Sequence, residues 1–209
     1  MSSRQAHLSR IYAHRGIWAN KANQNTLDAL ETAISLGFSV ETDIRDSGGQ
    51  IVLSHDPAKG HEPRLTELLS LPRRSHLALN VKADGLLSLG LSKQILDNAF
   101  VFDCSTPELV RYESHGIFPA LRVSEFERQP PKSNRIFWID GFNSDWWAHE
   151  SEALMEILDS AREVIFVSPE LHGRPIEPAW DWLVEHWKNP RVSICTDFPM
   201  EFAARVGRD

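Results

Sequence analysis

Residues 10–44 read RIYAHRGIWANKANQNTLDALETAISLGFSVETDI. A β-branched and aromatic run, Arg10–Ala13, precedes a helical stretch, Thr26–Leu36, and a second run, Ser39–Ile44. Within the helical stretch Leu27, Leu30, Ala33, Ile34 and Gly37 keep helical spacing. Thr26 stands where an N-cap belongs and Gly37 where a helix stops. Strand, helix and strand in this order form a parallel pair joined by a right-handed crossover.

The same alternation continues down the chain. Further strand-like runs fall at Leu77–Val81, Phe100–Cys104, Pro119–Val123, Ile136–Ile139, Val164–Val167 and Val192–Cys195, which makes eight. Helical patterns lie at Thr66–Leu71, Asp84–Leu96, Pro107–Ser114, Ser151–Arg162, Pro178–Trp187 and Met200–Val206. Eight strand runs with helical patterns between most of them point to a closed (β/α)8 barrel of the TIM type, with an open doubly wound sheet as the rival. The 209 residues lie near the lower length for such a barrel, about 200, so a single domain over residues 1–209 is expected. Asp46-Ser47-Gly48-Gly49 is a turn signal followed by Ile51–Leu53. Ser39–Leu53 therefore reads as a hairpin-like extension of the second strand.

Composition narrows the function classes. Apolar residues make up 42% and charged residues 24%, enough for a buried core. The net charge of -7, from 22 basic and 29 acidic residues, argues against a nucleic-acid partner. It leaves an anionic small-molecule substrate open, because a local pocket can be basic on an acidic protein. No apolar run approaches the roughly 20 residues of a membrane span. The opening MSSRQAHLSRIYAHRG has no signal-peptide core. A cytoplasmic location is the expectation, and Cys104 and Cys195 read as free core thiols.

Barrel enzymes work at the C-terminal ends of their strands. The first strand ends in His14-Arg15-Gly16, the second carries Glu41-Thr42-Asp43, the hairpin ends in His55-Asp56, and the third strand carries Asn80-Val81-Lys82. Glu41 and Asp43 are two apart and so share one strand face, which in a barrel is the interior. Two carboxylates there repel unless a cation joins them. Oxygen ligands of this kind suit Mg²⁺ or Ca²⁺, with Mn²⁺ as a further option.

Ala13-His14-Arg15-Gly16, Gln24-Asn25-Thr26-Leu27, Glu41-Thr42-Asp43, Ser54-His55-Asp56 and Thr196-Asp197-Phe198-Pro199 resemble the glycerophosphodiester phosphodiesterase family, in the family's order and over nearly the whole chain. The resemblance implies a divalent metal and a phosphodiester substrate of glycerol or a related sugar or polyol. It implies His14 and His55 as the acid–base pair, Glu41 and Asp43 as metal ligands, and Arg15 and Lys82 on the phosphate.

This chain departs from the family's pattern in three places. Gln24 stands where the family usually has Glu. Asn80 stands where it usually has a third metal-ligating Glu, which keeps an oxygen but removes a charge. Only Pro57–Arg64 separates His55-Asp56 from the next helix, where the family carries a long insertion. Glu170, after the seventh strand, is a candidate replacement carboxylate near the substrate. Trp138, with Asp140, Asp145, Trp146 and Trp147, is a candidate sugar- or polyol-binding aromatic, against the alternative that these tryptophans pack on the barrel. Trp180, Trp182 and Trp187 read as helix packing. Two rivals stand beside the hydrolase: a weakened barrel that binds a phosphorylated ligand without turnover, and a phospholipase D-like enzyme on lipid head groups, which would need an exposed apolar rim.

Overall fold

A computed structural model of the chain describes residues 7–73, 75–127, 135–149 and 151–207, without the side chains of 151 and 153. Residues 1–6, part of the opening read above for a signal peptide, lie outside them. Nine strands form one sheet: β1 (Ile11–His14), β2 (Ser39–Ser47), β3 (Gln50–Leu53), β4 (Leu77–Val81), β5 (Ala99–Phe102), β6 (Leu121–Val123), β7 (Ile136–Ile139), β8 (Glu163–Val167) and β9 (Val192–Thr196). The strand order is β5-β4-β2-β1-β9-β8-β7-β6, all parallel. The two ends of this order meet where Ala120 N donates to Val101 O at 2.8 Å. The result is a nearly closed (β/α)8 barrel. Strand β3 pairs antiparallel with β2 from Ile44–Leu53 to Ser47–Gln50, the hairpin expected from the Ser47-Gly48-Gly49 turn.

The helices are α1 (Leu27–Ser35), α2 (Leu65–Ser70), α3 (Thr106–Ser114), α4 (Trp146–His149), α5 (Ser151–Ser160), α6 (Ala179–His186) and α7 (Pro199–Val206). Thr26 caps α1, its hydroxyl accepting from Ala29 N at 3.3 Å. One expected helix is absent. Asp84–Leu96 holds only a 3-10 turn, Leu86–Leu89, ended by Gly90 at φ 93°. A left-handed residue there turns the chain away before an α-helix is built. The strand expected to reach Cys104 stops at Phe102, because Asp103 turns the chain at φ 59°.

Strand alternation divides the apolar residues into two layers. Tyr12, Ala78, Phe100, Phe102, Ile136, Trp138, Ile165, Val167 and Cys195 fill the barrel interior. A larger layer between strands and helices includes Leu30, Val40, Leu79, Phe137, Trp147, Phe166, Trp180 and Phe202. Each large apolar side chain so buried is worth about 1.5–3 kcal/mol, so the outer layer supplies most of the cohesion. Trp146 and Trp147 are buried in it, as barrel packing. The thiols of Cys104 and Cys195 are free. Among the described residues no helix is long and apolar enough to cross a membrane.

Candidate active site at the C-terminal barrel mouth

The turn after β1 sets the site. Arg15 at φ 56° and Gly16 at φ 90° reverse the chain directly after His14. A Cβ on Gly16 would lie 2.5 Å from the Ala29 carbonyl carbon, so only glycine lets the turn sit against α1. Ile17 N donates to Ala29 O (2.9 Å) and Arg15 N to Glu41 O (2.9 Å), which tie the turn to α1 and β2. His14 and Arg15 are thereby fixed above the strand face that carries Glu41 and Asp43.

His14 Nδ1 lies 2.6 Å from Asp197 Oδ1, just past β9, and His14 Nε2 lies 3.9 Å from Glu41 Oε2. A carboxylate only accepts, so Nδ1 carries a proton, and Nε2 is left on the Glu41 side. Asp43 is fully buried. Its Oδ2 faces Arg15 Nε at 2.8 Å and accepts from Asn25 Nδ2 at 2.9 Å, while its Oδ1 lies 3.4 Å from Lys82 Nζ. Asn25 is held in turn, its Oδ1 accepting from Thr42 Oγ1 at 2.7 Å and from Asp43 N at 3.3 Å. Gln24 Oε1 accepts from Arg15 Nη1 at 3.2 Å and so orients the arginine.

Among the described residues Glu41 is ion-paired with no lysine or arginine, and its Oε2 accepts from Arg15 N at 3.3 Å. Burial first, and then the charge of Asp43, push its carboxyl up to about 7. Asn80 is the register partner of Asp43 on β4, and its buried Oδ1 accepts no hydrogen bond. Asp43 Oδ1 likewise accepts none. The orphaned Asn80 Oδ1, the Asp43 Oδ1 ion-paired with Lys82 at 3.4 Å and the buried Glu41 carboxyl lie on adjacent strands and are the kind of hard-oxygen set a divalent cation satisfies. Among the described residues no three His, Cys, Asp or Glu side chains are arranged to hold a metal ion. The third donor would have to be the Asn80 amide.

His55 ends the hairpin, where Ser54 N donates to Asp43 O at 3.0 Å. Its imidazole is about half exposed and pairs through Nδ1 with Asp56 Oδ1 at 3.0 Å. The structure therefore brings together His14, Arg15, Glu41, Asp43, Asn80 and Lys82, with His55 on the adjoining hairpin rim.

Two sequence-based candidates have other partners. Trp138 is buried inside the barrel and stacks on Phe102 at 4.0 Å. It lies one residue before the end of β7, on the inward face, and packs there as a core residue. Glu170, expected near substrate or metal, has both carboxylate oxygens engaged. Oε1 accepts from Thr196 Oγ1 (2.5 Å) and Asp197 N (3.0 Å), and Oε2 accepts from Ser168 Oγ.

A second polar cluster occupies the other half of the mouth. Arg122 binds both Asp103 oxygens and lies 3.0 Å from Asp140 Oδ2. His172 Nε2 lies 2.6 Å from Asp140 Oδ1, and the Phe142 ring packs beside His172 at 4.9 Å. Sequence reading assigned no role to Asp197, Asn25, Arg122 or His172. Asp197 and Asn25 sit inside the quoted motifs, which was their signal. Arg122 and His172 sit in no motif and become visible only through barrel closure. Two concavities lie away from this mouth. One of about 810 Å³ runs outside the barrel past Leu8, Phe38, Trp187 and Met200. One of about 500 Å³ opens past Arg10, His76, Arg162 and Glu163 at the opposite end.

No family model and no curated protein matches the chain. A solved structure described as a glycerophosphodiester phosphodiesterase from Parabacteroides distasonis ATCC 8503 is similar over 95% of this chain and 96% of that one, with 16% identity and a TM-score of 0.58. At that identity the likeness is one of fold: along its whole length this chain has the barrel of a protein described as a glycerophosphodiester phosphodiesterase.

Proposed function

We propose that the chain is a metal-assisted phosphodiesterase acting on a glycerophosphodiester or a related sugar or polyol phosphodiester. The observation that carries this reading is the convergence of an Asp197-held His14 with Arg15, Lys82, Glu41 and Asp43 at one barrel mouth. The full-length fold likeness to a phosphodiesterase adds to it.

In this mechanism Arg15 and Lys82, both anchored on Asp43, face the phosphodiester and neutralise its charge. His14 Nε2 accepts the proton of the attacking hydroxyl, from water or from the substrate alcohol. His55 donates a proton to the departing alkoxide as its P–O bond breaks. Asp197 holds His14 in the tautomer that leaves Nε2 free to accept. Glu41, Asp43 and the Asn80 amide oxygen would hold a divalent cation, Mg²⁺ or Ca²⁺ before Mn²⁺. When bound, such a cation supplies further charge stabilisation to the phosphoryl oxygens. Asp43 is already neutralised by two cations and Asn80 brings no charge, so weak metal binding is part of the proposal.

One observation favours a second reading. The absence of a third acidic donor among the described residues fits a barrel that binds a phosphorylated ligand without turning it over. Hydrolysis of bis(p-nitrophenyl) phosphate and of glycerophosphodiesters with added Mg²⁺, Ca²⁺ or Mn²⁺ separates the two. Turnover that is lost in His14→Ala supports the hydrolase. Ligand binding without turnover under all three metals supports the binder.

A further inference from the structure

The mechanism above uses His14 and Asp197 but leaves Glu170 without a role. Glu170 is semi-buried in the turn Pro169–His172 after β8, next to β9 in the barrel. Its Oε1 accepts from two donors on the neighbouring strand end, Thr196 Oγ1 at 2.5 Å and Asp197 N at 3.0 Å. Its Oε2 accepts from Ser168 Oγ, and that hydroxyl accepts from Trp180 Nε1 at 2.7 Å. Trp180 is fully buried on α6 and packs edge-on to Phe202 of α7 at 5.1 Å. A continuous chain of hydrogen bonds therefore runs from the helical layer to the mouth: Trp180, Ser168, Glu170, Asp197, His14.

We infer that Glu170 is a positioning residue for His14, acting through Asp197. The inference rests on the reading of His14 as the proton acceptor. Asp197 follows the last residue of β9, where ladder hydrogen bonds no longer fix the backbone. The Glu170 carboxylate takes over that task by binding the Asp197 amide. A fixed Asp197 backbone holds Oδ1 in line with His14 Nδ1, and so sets the direction of Nε2. In this role Oε1 serves the end of β9 while Oε2 stays on Ser168. Loss of alignment affects the step in which the proton moves more than it affects ground-state binding. A displacement of about 1 Å at such a group is enough for roughly 10²-fold in rate.

The test compares Glu170→Ala, Glu170→Gln, Asp197→Ala and the double variant Glu170→Ala, Asp197→Ala, assayed on bis(p-nitrophenyl) phosphate with saturating Mn²⁺. Glu170→Ala is expected to lower kcat roughly 10²-fold with KM and Mn²⁺ affinity unchanged. Glu170→Gln, whose amide oxygen still accepts from Thr196 and Asp197, is expected to restore most of kcat. The double variant is expected to be no slower than Asp197→Ala alone, because both act on one histidine. Multiplying losses in the double variant, an unchanged kcat in Glu170→Ala, or a fall in Mn²⁺ affinity would each overturn the inference. If Glu170→Ala does not fold, Ser168→Ala replaces it: it frees one end of the carboxylate and is expected to lower kcat but not KM, and an unchanged kcat counts against the inference. His14→Ala is the separate control. Full activity there defeats the proposed function itself, whereas an inactive His14→Ala beside a wild-type-like Glu170→Ala defeats only the role of Glu170.

Discussion

His14 and Asp197 stand 183 positions apart in the chain, yet Nδ1 of one lies 2.6 Å from Oδ1 of the other. Strands β1 and β9 are neighbours, and each of the two residues stands at the mouth end of its strand. An amide in place of the aspartate would hold the histidine equally close but present a donor as readily as an acceptor. Asp197→Asn is expected to lower kcat on the order of 10²–10⁴-fold, the usual worth of general acid–base catalysis, with little change in thermal stability. His14→Ala should fall in the same range. Steady-state kinetics beside a thermal melt of each variant checks this, and a wild-type kcat in Asp197→Asn would contradict it.

Asn80 is the position to change if the metal site is as proposed. Its orphaned Oδ1 sits opposite Asp43. Asn80→Glu adds a charge to the donor set and should tighten divalent-metal binding. Without metal the extra buried carboxylate beside Asp43 should destabilise the protein, so the rise in melting temperature on adding metal should exceed that of wild type. Calorimetric titration with Mg²⁺ and Ca²⁺ decides it. Equal or weaker affinity would place Asn80 outside the coordination sphere.

Trp138 is expected to matter for stability and not for substrate. Its indole is buried against Phe102 inside the barrel. Trp138→Ala should cost about 3–5 kcal/mol in denaturant unfolding, while Trp138→Phe costs less and leaves KM unchanged. A selective rise in KM for a polyol phosphodiester in Trp138→Phe would restore the aromatic-platform reading.

Arg122 binds Asp103 and Asp140 together, and Asp140 is buried. Removing the guanidinium leaves two carboxylates close to each other without a counter-charge. Arg122→Leu should cost about 3 kcal/mol, the low end for a broken buried pair because Arg122 keeps some solvent. The double variant Arg122→Leu, Asp140→Asn should recover part of that loss. A denaturation cycle over the four proteins measures the coupling.

The short loop Pro57–Arg64 has its own pH response. Backbone hydrogen bonds, first from Lys59 and then from the other loop amides, hold the Glu62 carboxyl down at about 2, below its ordinary 4.5. A lowered folded value contributes order above the unfolded one. That order is present above about 4.5 and is lost as pH falls from 4.5 towards 2. Amide exchange at Lys59, Gly60 and His61 should therefore lose protection across that window, and Glu62→Gln should remove the dependence. Flat protection from pH 5 to pH 2 in the wild type would contradict it.

Much of this molecule follows from local rules. The spacing of Leu27, Leu30, Ala33 and Ile34, and the Thr26 cap, made α1 legible because they depend only on the pitch of a helix. The alternation of eight runs with helical patterns made the barrel legible, because a parallel pair needs a crossover. That Glu41 and Asp43 share a face follows from the two-residue repeat of a strand. The Asp84–Leu96 stretch misled because its apolar residues keep a helix-like spacing while Gly90 takes a left-handed turn that composition alone does not reveal.

What each inward side chain meets was decided by closure. Trp138 and Asp140 lie on the same face of one strand and its end, and the sequence cannot say what either of them meets. Register against β6 and β8 does so, and it turns Trp138 into core packing and Asp140 into the partner of His172 and Arg122. Glu170 could be read from its type as a ligand, but the nearness of β9 gave it Thr196 and the Asp197 amide instead. By itself, the sequence determined that His14 ends its strand and that Glu41 and Asp43 share a face, because both are set by backbone geometry over a few residues. Only the tertiary structure decided their partners, because strand neighbours far apart in the chain are set by how the whole sheet curls and shuts.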